Sequence, residues 1–159
     1  MDEHSVSHSH YIETLASRID EARPFWSDET TSAGDRQAHA LPDKPGIYLL
    51  MRRVNVEEDG YRNSVVNLAA PMVLYVGKAG NLHNRMRQHF GGTKPNYQSS
   101  QFARFLFQVC QDHDMVSRIL ASPNTIIAYV VIEEGGAVVD LVESLAVQVF
   151  QPRFNIKNL

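Results

Sequence analysis

The architecture of this 159-residue chain is indicated by Gly46-Ile47-Tyr48 and by a longer run, Tyr75-Val76-Gly77-Lys78-Ala79-Gly80-Asn81-Leu82-His83-Asn84-Arg85-Met86-Arg87-Gln88-His89-Phe90. Both begin with a short motif that joins a tyrosine to a β-branched residue, a composition favoured in strands. Leu82, Met86 and Phe90 then recur at helical spacing, which predicts a helix from Asn81 to Phe90. The two stretches therefore predict two tyrosine-bearing strands, the second of which leads through a glycine turn into a basic helix.

The surrounding segments carry further strand and helix signals. An Asp59-Gly60 turn between two apolar runs predicts a β-hairpin over 52–68, and the run from Thr125 to Glu133 predicts another strand. Helices are predicted from Ser100 to Gln111 and from Val138 to Phe150. This order of elements predicts an α+β fold in which helices flank a small mixed or antiparallel sheet.

The first forty residues differ from the rest of the chain. Tyr11, Ile12, Leu15 and Ile19 stand at helical spacing, which predicts a short amphipathic helix ending at about Arg23. A stretch rich in Ser, Thr, Asp and Gly follows and predicts a loop or linker. We therefore predict a helical leader over residues 1–40 and a single domain over residues 41–159.

Composition is that of an intracellular globular protein. Apolar residues make up 43% of the chain and charged residues 21%, and no apolar run approaches the roughly 20 residues that span a bilayer. Cys110 is the only cysteine, which excludes an intrachain disulfide and a cysteine-based zinc site. The acidic start lacks the pattern of a secretory signal, so we expect a cytoplasmic protein with no membrane role.

The charge is unevenly distributed along the chain. The formal net charge is −3, but residues 1–35 hold eight acidic and two basic side chains, while residues 36–159 hold ten acidic and thirteen basic ones. No Asp or Glu occurs between Asp59 and Asp112. A surface of one sign in that region would attract a polyanion, unless acids from elsewhere in the fold compensate it. The cations in this interval that could contact such a polyanion are Lys78, Arg85, Arg87, Lys94 and Arg104, together with Arg62.

The predicted last helix places one carboxylate among apolar residues. At 100° per residue, Glu143 falls in an arc with Val139, Ala146, Val147 and Phe150, outside the polar stripe of that helix. A carboxylate in apolar surroundings is costly unless it is paired, protonated or bound to a metal. Glu143 is therefore either a functional group or half of a structural ion pair with an arginine.

The helix from Asn81 to Phe90 places Asn81, Arg85 and His89 on one stripe, four residues apart. The guanidinium of Arg85 could clamp a phosphate at two points, and His89 could hold or relay a proton. Lys78 precedes the start of this helix, where anions are favoured. On spacing alone, a strand-to-helix turn with a solvated helix face explains the same pattern.

Taken together, these residues resemble the GIY-YIG endonuclease family. Gly46-Ile47-Tyr48 matches the first family motif and Tyr75-Val76-Gly77 the second. Arg85 stands where the family has its catalytic arginine, Glu143 matches the metal-binding glutamate, and Asn155 matches the closing asparagine. The resemblance covers about residues 41–155. The run after the second motif is most similar to the incision subunit of bacterial nucleotide excision repair, and the spacing of arginine and histidine is also like that of homing and restriction members.

The resemblance implies a three-stranded sheet with flanking helices and hydrolysis of a DNA strand. It implies that Glu143 binds a divalent metal, Mg²⁺ or Mn²⁺, and that Tyr48, helped by His89, positions or deprotonates the attacking water. Arg85 and Lys78 would offset the charge of the transition state. The remaining two family positions, which would complete the hydrogen-bonded shell, are Tyr75 and Asn155.

Two features depart from the family pattern. The predicted hairpin separates the two tyrosine motifs, and no DNA-reading module is recognisable. Targeting would then come from the hairpin, from DNA structure, or from a homodimer or partner protein that contacts the leader. We therefore predict a metal-dependent DNA endonuclease in repair, restriction or defence. Two alternatives remain: a catalytically weak module that binds nucleic acid or protein, and an RNA-directed nuclease.

Overall fold

The computed structural model describes residues 3–21, 41–52, 72–91, 94–122 and 125–155, with the backbone alone for residues 3–7 and 19–21. Within these ranges the chain forms five helices and three strands. In chain order they are α1 (Glu3–Glu21), β1 (Gly46–Arg52), β2 (Met72–Ala79), α2 (Leu82–Phe90), α3 (Gln101–Cys110), α4 (His113–Ala121), β3 (Thr125–Val131) and α5 (Gly136–Phe150). Apart from Arg52, which ends β1, the predicted hairpin over 52–68 lies outside the described residues.

The three strands form one antiparallel sheet in the order β2-β1-β3. Tyr48, in the central strand, is paired with Gly77 on one side and with Tyr129 on the other. A register shift between Leu50 and Met51 marks a bulge in the pairing with β2. The predicted α+β class is confirmed, and of the two predicted sheet types the antiparallel one is present.

Every residue of β1 is buried, because helices cover both faces of the sheet. Side chains alternate between the two faces along the strand. Tyr48 and Leu50 belong to a core shared with α2, α3 and α4, whereas Ile47, Leu49 and Met51 belong to a second core shared with α1 and α5. The sheet thus separates two helical layers, and Tyr48 faces the layer of α2.

Helix α1 belongs to the second core. Leu15 is fully buried and Tyr11 nearly so, both in the cluster with Ile47 and Leu49. The Tyr11 hydroxyl also hydrogen-bonds to Glu134, just beyond β3. The predicted amphipathic helix is therefore present, and it packs against the face of the sheet opposite Tyr48.

Helix α4 was not predicted from the sequence. Asp112 caps its start by accepting hydrogen bonds from the amides of Asp114 and Met115, as aspartate commonly does. Val116, Ile119 and Leu120 are buried at helical spacing. The cap and this spacing together were a sufficient signal, which the short length of the segment obscured.

Two predicted helix starts are capping residues. Asn81 accepts a hydrogen bond from the Asn84 amide and caps α2, and Ser100 does the same for Ala103 at the start of α3. Helix α3 ends where Gln111 adopts the left-handed conformation with φ of 53°.

None of the helices in the described ranges has both the length and the apolar character needed to cross a bilayer.

Candidate active site

The side chains of Tyr48, Arg85 and His89 meet where β1 packs against α2. The Tyr48 hydroxyl lies 2.7 Å from His89 Nε2, and Arg85 Nε donates to the same hydroxyl at 3.3 Å. Tyr48 and His89 are almost completely buried, whereas Arg85 is half-buried. The structure thus brings together one phenol, one imidazole and one guanidinium from the two signature stretches.

Close backbone approach explains the glycine in each tyrosine motif. A Cβ at Gly77 would lie 2.2 Å from the ring and hydroxyl of Tyr48, its partner across the β1-β2 pair. A Cβ at Gly46 would lie 2.1 Å from the carbonyl oxygen of Val130. Both contacts are shorter than any side chain permits. Gly77 is therefore the residue that allows the Tyr48 ring to cross β2.

The environment keeps both Tyr48 and His89 neutral near pH 7. Burial, and then the nearby Tyr75, raise the pKa of Tyr48 well above its usual value of 10. Burial, and then the charge of Arg85, lower the pKa of His89 from 6.5 to about 3. Partial burial acts to lower the pKa of Arg85, but the hydroxyls of Tyr48 and Tyr75 outweigh it and the pKa is raised. The cluster therefore carries one fixed positive charge, on Arg85.

Two contacts from the segment before α3 support the cluster. Arg85 Nη1 donates to the carbonyl oxygen of Ser99 at 3.1 Å, and also to Gln88 Oε1 at 2.5 Å. The hydroxyl of Ser100 lies 2.7 Å from His89 Nδ1. Ser100 is fully buried and was not among the predicted site residues. Its only sequence signal was that of a helix cap.

Tyr75 lies beside Tyr48, with their ring centroids 6.2 Å apart. Its hydroxyl donates to Gln101 Oε1 at 3.2 Å. Burial raises the pKa of Tyr75 despite the opposing charge of Arg85. The two motif tyrosines therefore present two neutral hydroxyls next to one guanidinium.

Glu143 is half-buried on α5, beside the buried residues Val139, Val142 and Ala146, as its place in the apolar arc predicted. Burial is the largest cause of the raised pKa of Tyr48 and of Tyr75, and the negative charge of Glu143 is a smaller cause in both. Glu143 therefore lies within electrostatic range of the two hydroxyls.

The donor set around Glu143 fits a metal that retains most of its water. Within the described ranges, no group of three or more His, Cys, Asp or Glu side chains converges on one point. These described residues therefore form no fully protein-ligated site of the kind that holds structural zinc. Mg²⁺ usually takes one or two carboxylates together with waters and phosphate oxygens. A single carboxylate such as that of Glu143 is compatible with that requirement.

Lys78 lies on β2 and forms an ion pair with Asp140 of α5 at 2.5 Å, with both side chains about half exposed. Its hydrogen bond with Asp140 raises the pKa of Lys78, and the charge of Glu143 adds to this effect. Lys78 is therefore close to Glu143, with Asp140 as its direct partner.

Asn155 follows α5 and lies at the outer edge of β2. Its Oδ1 accepts from the Val76 amide and its Nδ2 donates to the Val76 carbonyl oxygen, both at 2.7 Å. The amide of Phe154 likewise donates to the carbonyl oxygen of Leu74 at 2.7 Å. Asn155 thus pairs with the backbone next to Tyr75, in the manner of an added strand.

The remaining predicted DNA-binding cations lie on or beside α2 and α3. Arg87, Lys94 and Arg104 are all exposed. Arg104 donates to the carbonyl oxygens of Tyr97 and Gln98, at 2.6 Å and 3.2 Å. These three cations therefore accompany Arg85 on the helical layer that Tyr48 faces.

A scan against protein-family models finds no match, and a search of curated proteins finds none either. Among solved structures, the chain is similar to the GIY-YIG N-terminal endonuclease domain of UvrC from Thermotoga maritima, in two structures. One is a point mutant bound to its catalytic divalent cation, at 16% identity over 82% of this chain and 99% of that chain, with a TM-score of 0.42. The other is bound to magnesium, at 17% identity over 81% of this chain and 99% of that chain, with a TM-score of 0.42.

Proposed function

We propose that this chain is a GIY-YIG-type endonuclease that hydrolyses a phosphodiester bond of DNA with the help of Mg²⁺ or Mn²⁺. The observation that carries the proposal is the meeting of Tyr48, Arg85 and His89 beside Tyr75 and within electrostatic range of Glu143. A guanidinium, two neutral phenols and one carboxylate suit a phosphodiester substrate, because they offer a charge clamp, hydrogen-bond donors and a metal ligand.

Each group has a distinct part in this proposal. Glu143 would hold the metal, which when bound stabilises negative charge on the phosphate and the leaving oxygen. Arg85 is held by Tyr48 and by the Ser99 carbonyl oxygen, so its guanidinium is oriented before substrate arrives. A preorganised cation stabilises the charge that develops in the transition state. Tyr48 and Tyr75 hydrogen-bond to the substrate or to the attacking water.

DNA would lie along the layer formed by α2 and α3. Arg87, Lys94 and Arg104 would contact phosphates on this layer, and Lys78 would contact a phosphate at the edge of β2. Contacts of this kind give affinity without sequence preference and weaken with salt. The pathway we propose is repair, restriction or defence against foreign DNA, with a homodimer or partner protein contacting the leader.

The test is incubation of supercoiled plasmid with the purified chain in Mg²⁺, Mn²⁺ or EDTA, with labelled RNA in parallel. We expect nicking of the plasmid that requires the metal and no comparable cutting of RNA. Cutting of RNA alone would favour an RNA-directed nuclease. Binding of DNA without cutting would favour the weak binding module.

Two variants locate the activity in this site. Glu143→Gln keeps the side-chain volume but removes the charge, so cutting should fall by at least about 100-fold while DNA binding persists. The matched control is Glu133→Gln, which removes the same charge from an exposed pair with Lys44. A folded Glu143→Gln protein that cuts at the parent rate would refute the proposed site.

A further inference from the structure

The hydroxyl of Ser100 decides which ring nitrogen of His89 carries the proton. Within the described part of the chain this hydroxyl contacts two polar atoms, the amide of Ala103 at 3.0 Å and His89 Nδ1 at 2.7 Å. Ser100 is fully buried, so bulk water does not compete for either contact.

The amide of Ala103 can only donate, so the Ser100 oxygen accepts from it. The single hydroxyl hydrogen of Ser100 then needs an acceptor. His89 Nδ1 is the one available among the described residues, and a buried polar hydrogen without an acceptor is strongly disfavoured. Ser100 therefore donates to Nδ1, and Nδ1 is the unprotonated nitrogen.

A neutral imidazole carries its one proton on the other nitrogen. Burial and the charge of Arg85 hold the pKa of His89 at about 3, so the ring is neutral near pH 7. With Nδ1 accepting, the proton is on Nε2, which lies 2.7 Å from the Tyr48 hydroxyl. His89 therefore donates to Tyr48, and it cannot take the proton of Tyr48 at that nitrogen.

Tyr48 then accepts two hydrogen bonds, from His89 Nε2 and from Arg85 Nε. Its own hydrogen must point elsewhere, on the side of Tyr75, whose hydroxyl interacts with it and itself donates to Gln101. The opposite tautomer would draw this hydrogen to His89. The direction of one buried hydrogen bond thus sets where the hydrogen of Tyr48 points.

We propose that Ser100 is a positioning residue that holds His89 as the Nε2–H tautomer, so that the Tyr48 oxygen accepts from both His89 and Arg85 and the Tyr48 hydrogen is directed toward Tyr75. This deepens the proposed function and rests on it for the identity of the substrate. His89 Nε2 is then not available to take the proton of Tyr48, so any help that it gives Tyr48 is as a hydrogen-bond donor.

The tautomer is measured directly on the wild-type protein. Long-range ¹H–¹⁵N correlation spectra distinguish protonated from unprotonated ring nitrogens, and the His89 signals are those missing from His89→Gln. We expect a protonated Nε2 and an unprotonated Nδ1. A protonated Nδ1, or averaging between the two forms, would overturn the proposal without any variant having to fold.

Variants of Ser100 connect the tautomer to cutting. Ser100→Ala should let both tautomers be populated and lower the cutting rate by roughly 10- to 100-fold, while Ser100→Thr, which keeps a hydroxyl, should restore both readouts. Asp112→Ala removes the equivalent cap of α4 and should change neither. If Ser100→Ala shifts the tautomer and leaves cutting unchanged, the tautomer has no part in cutting and the positioning role of Ser100 is refuted. A protein that shows Nε2–H but cuts no DNA would refute the proposed function and leave the assignment of Ser100 standing.

Discussion

Tyr48 and Gly77 face each other across the β1-β2 pair, and the Tyr48 ring occupies the space where a side chain at position 77 would begin. A Cβ there would lie 2.2 Å from the hydroxyl that also contacts His89 and Arg85. The glycine of the second motif is therefore coupled to the tyrosine of the first. Changing either one disturbs the same group.

Gly77→Ala should destabilise the fold and slow cutting together. Tyr48 must move to make room, and overpacking of this kind typically costs about 1–3 kcal/mol. The free energy of unfolding from denaturant titration measures the cost. Gly80→Ala is the matched control, because a Cβ at Gly80 has no atom within 4 Å. Equal stability of the two variants would show that Tyr48 does not depend on the glycine.

The burial of His89 should make stability depend on pH. The pKa of His89 is about 3 in the folded protein, below its ordinary value of 6.5. Between pH 3 and pH 6.5 the unfolded chain binds a proton at this residue and the folded chain does not. The stability that results from keeping His89 neutral is therefore fully present above pH 6.5 and is lost as the pH falls toward 3. In this range, this one histidine makes the free energy of unfolding change by up to about 1.4 kcal/mol per pH unit.

Comparison with His89→Gln isolates this effect, since the other titrating groups are shared. Wild-type protein should lose stability between pH 6.5 and 4.5 more steeply than the variant does, in denaturant titrations at each pH. Identical slopes would show that His89 is protonated in the folded protein, or that it is exposed.

Asn155 offers a choice between a structural and a catalytic role. Its amide makes two hydrogen bonds of 2.7 Å to Val76, so Asn155→Ala should lower stability by roughly 1–3 kcal/mol. Asn155→Asp keeps the acceptor for the Val76 amide but sets an oxygen against the Val76 carbonyl, and should be destabilising too. A variant with parent stability and much slower cutting would instead place Asn155 in the chemistry.

The sequence predicted those parts of the site that local spacing encodes. The two motifs predicted β1 and β2, and the spacing of Leu82, Met86 and Phe90 predicted α2, because each of these signals lies within one element. The apolar arc around Glu143 could be drawn for the same reason. Periodicity reports which side of an element is buried, and Glu143 lies among buried residues of α5.

Other features arise only when elements pack together. Ser100 contacts His89 because α3 packs beside α2. In the sequence, Ser100 is recognisable only as a helix cap. The pairing of Asn155 with Val76 joins positions 79 residues apart along the chain. Nor does the amphipathic pattern of Tyr11 and Leu15 say which face of the sheet α1 covers. Such contacts depend on how layers stack, which no single periodicity contains.

Asp140 should restrain DNA binding by holding Lys78. The two side chains are 2.5 Å apart and about half exposed, and pairs of this kind contribute at most about 1 kcal/mol to stability. Asp140→Asn should therefore leave the melting temperature nearly unchanged. It releases Lys78 and removes a negative charge beside the proposed phosphate path, so DNA affinity should rise several-fold at low salt.

The salt dependence of binding separates these two effects. If the released Lys78 contacts one more phosphate, the slope of log affinity against log salt concentration should steepen by about 0.9. Glu133→Gln makes the same change in net charge at the exposed pair with Lys44, and should raise affinity less without the same change of slope. Equal behaviour of the two variants would mean that only the net charge matters, and that Lys78 does not bind the backbone of the DNA.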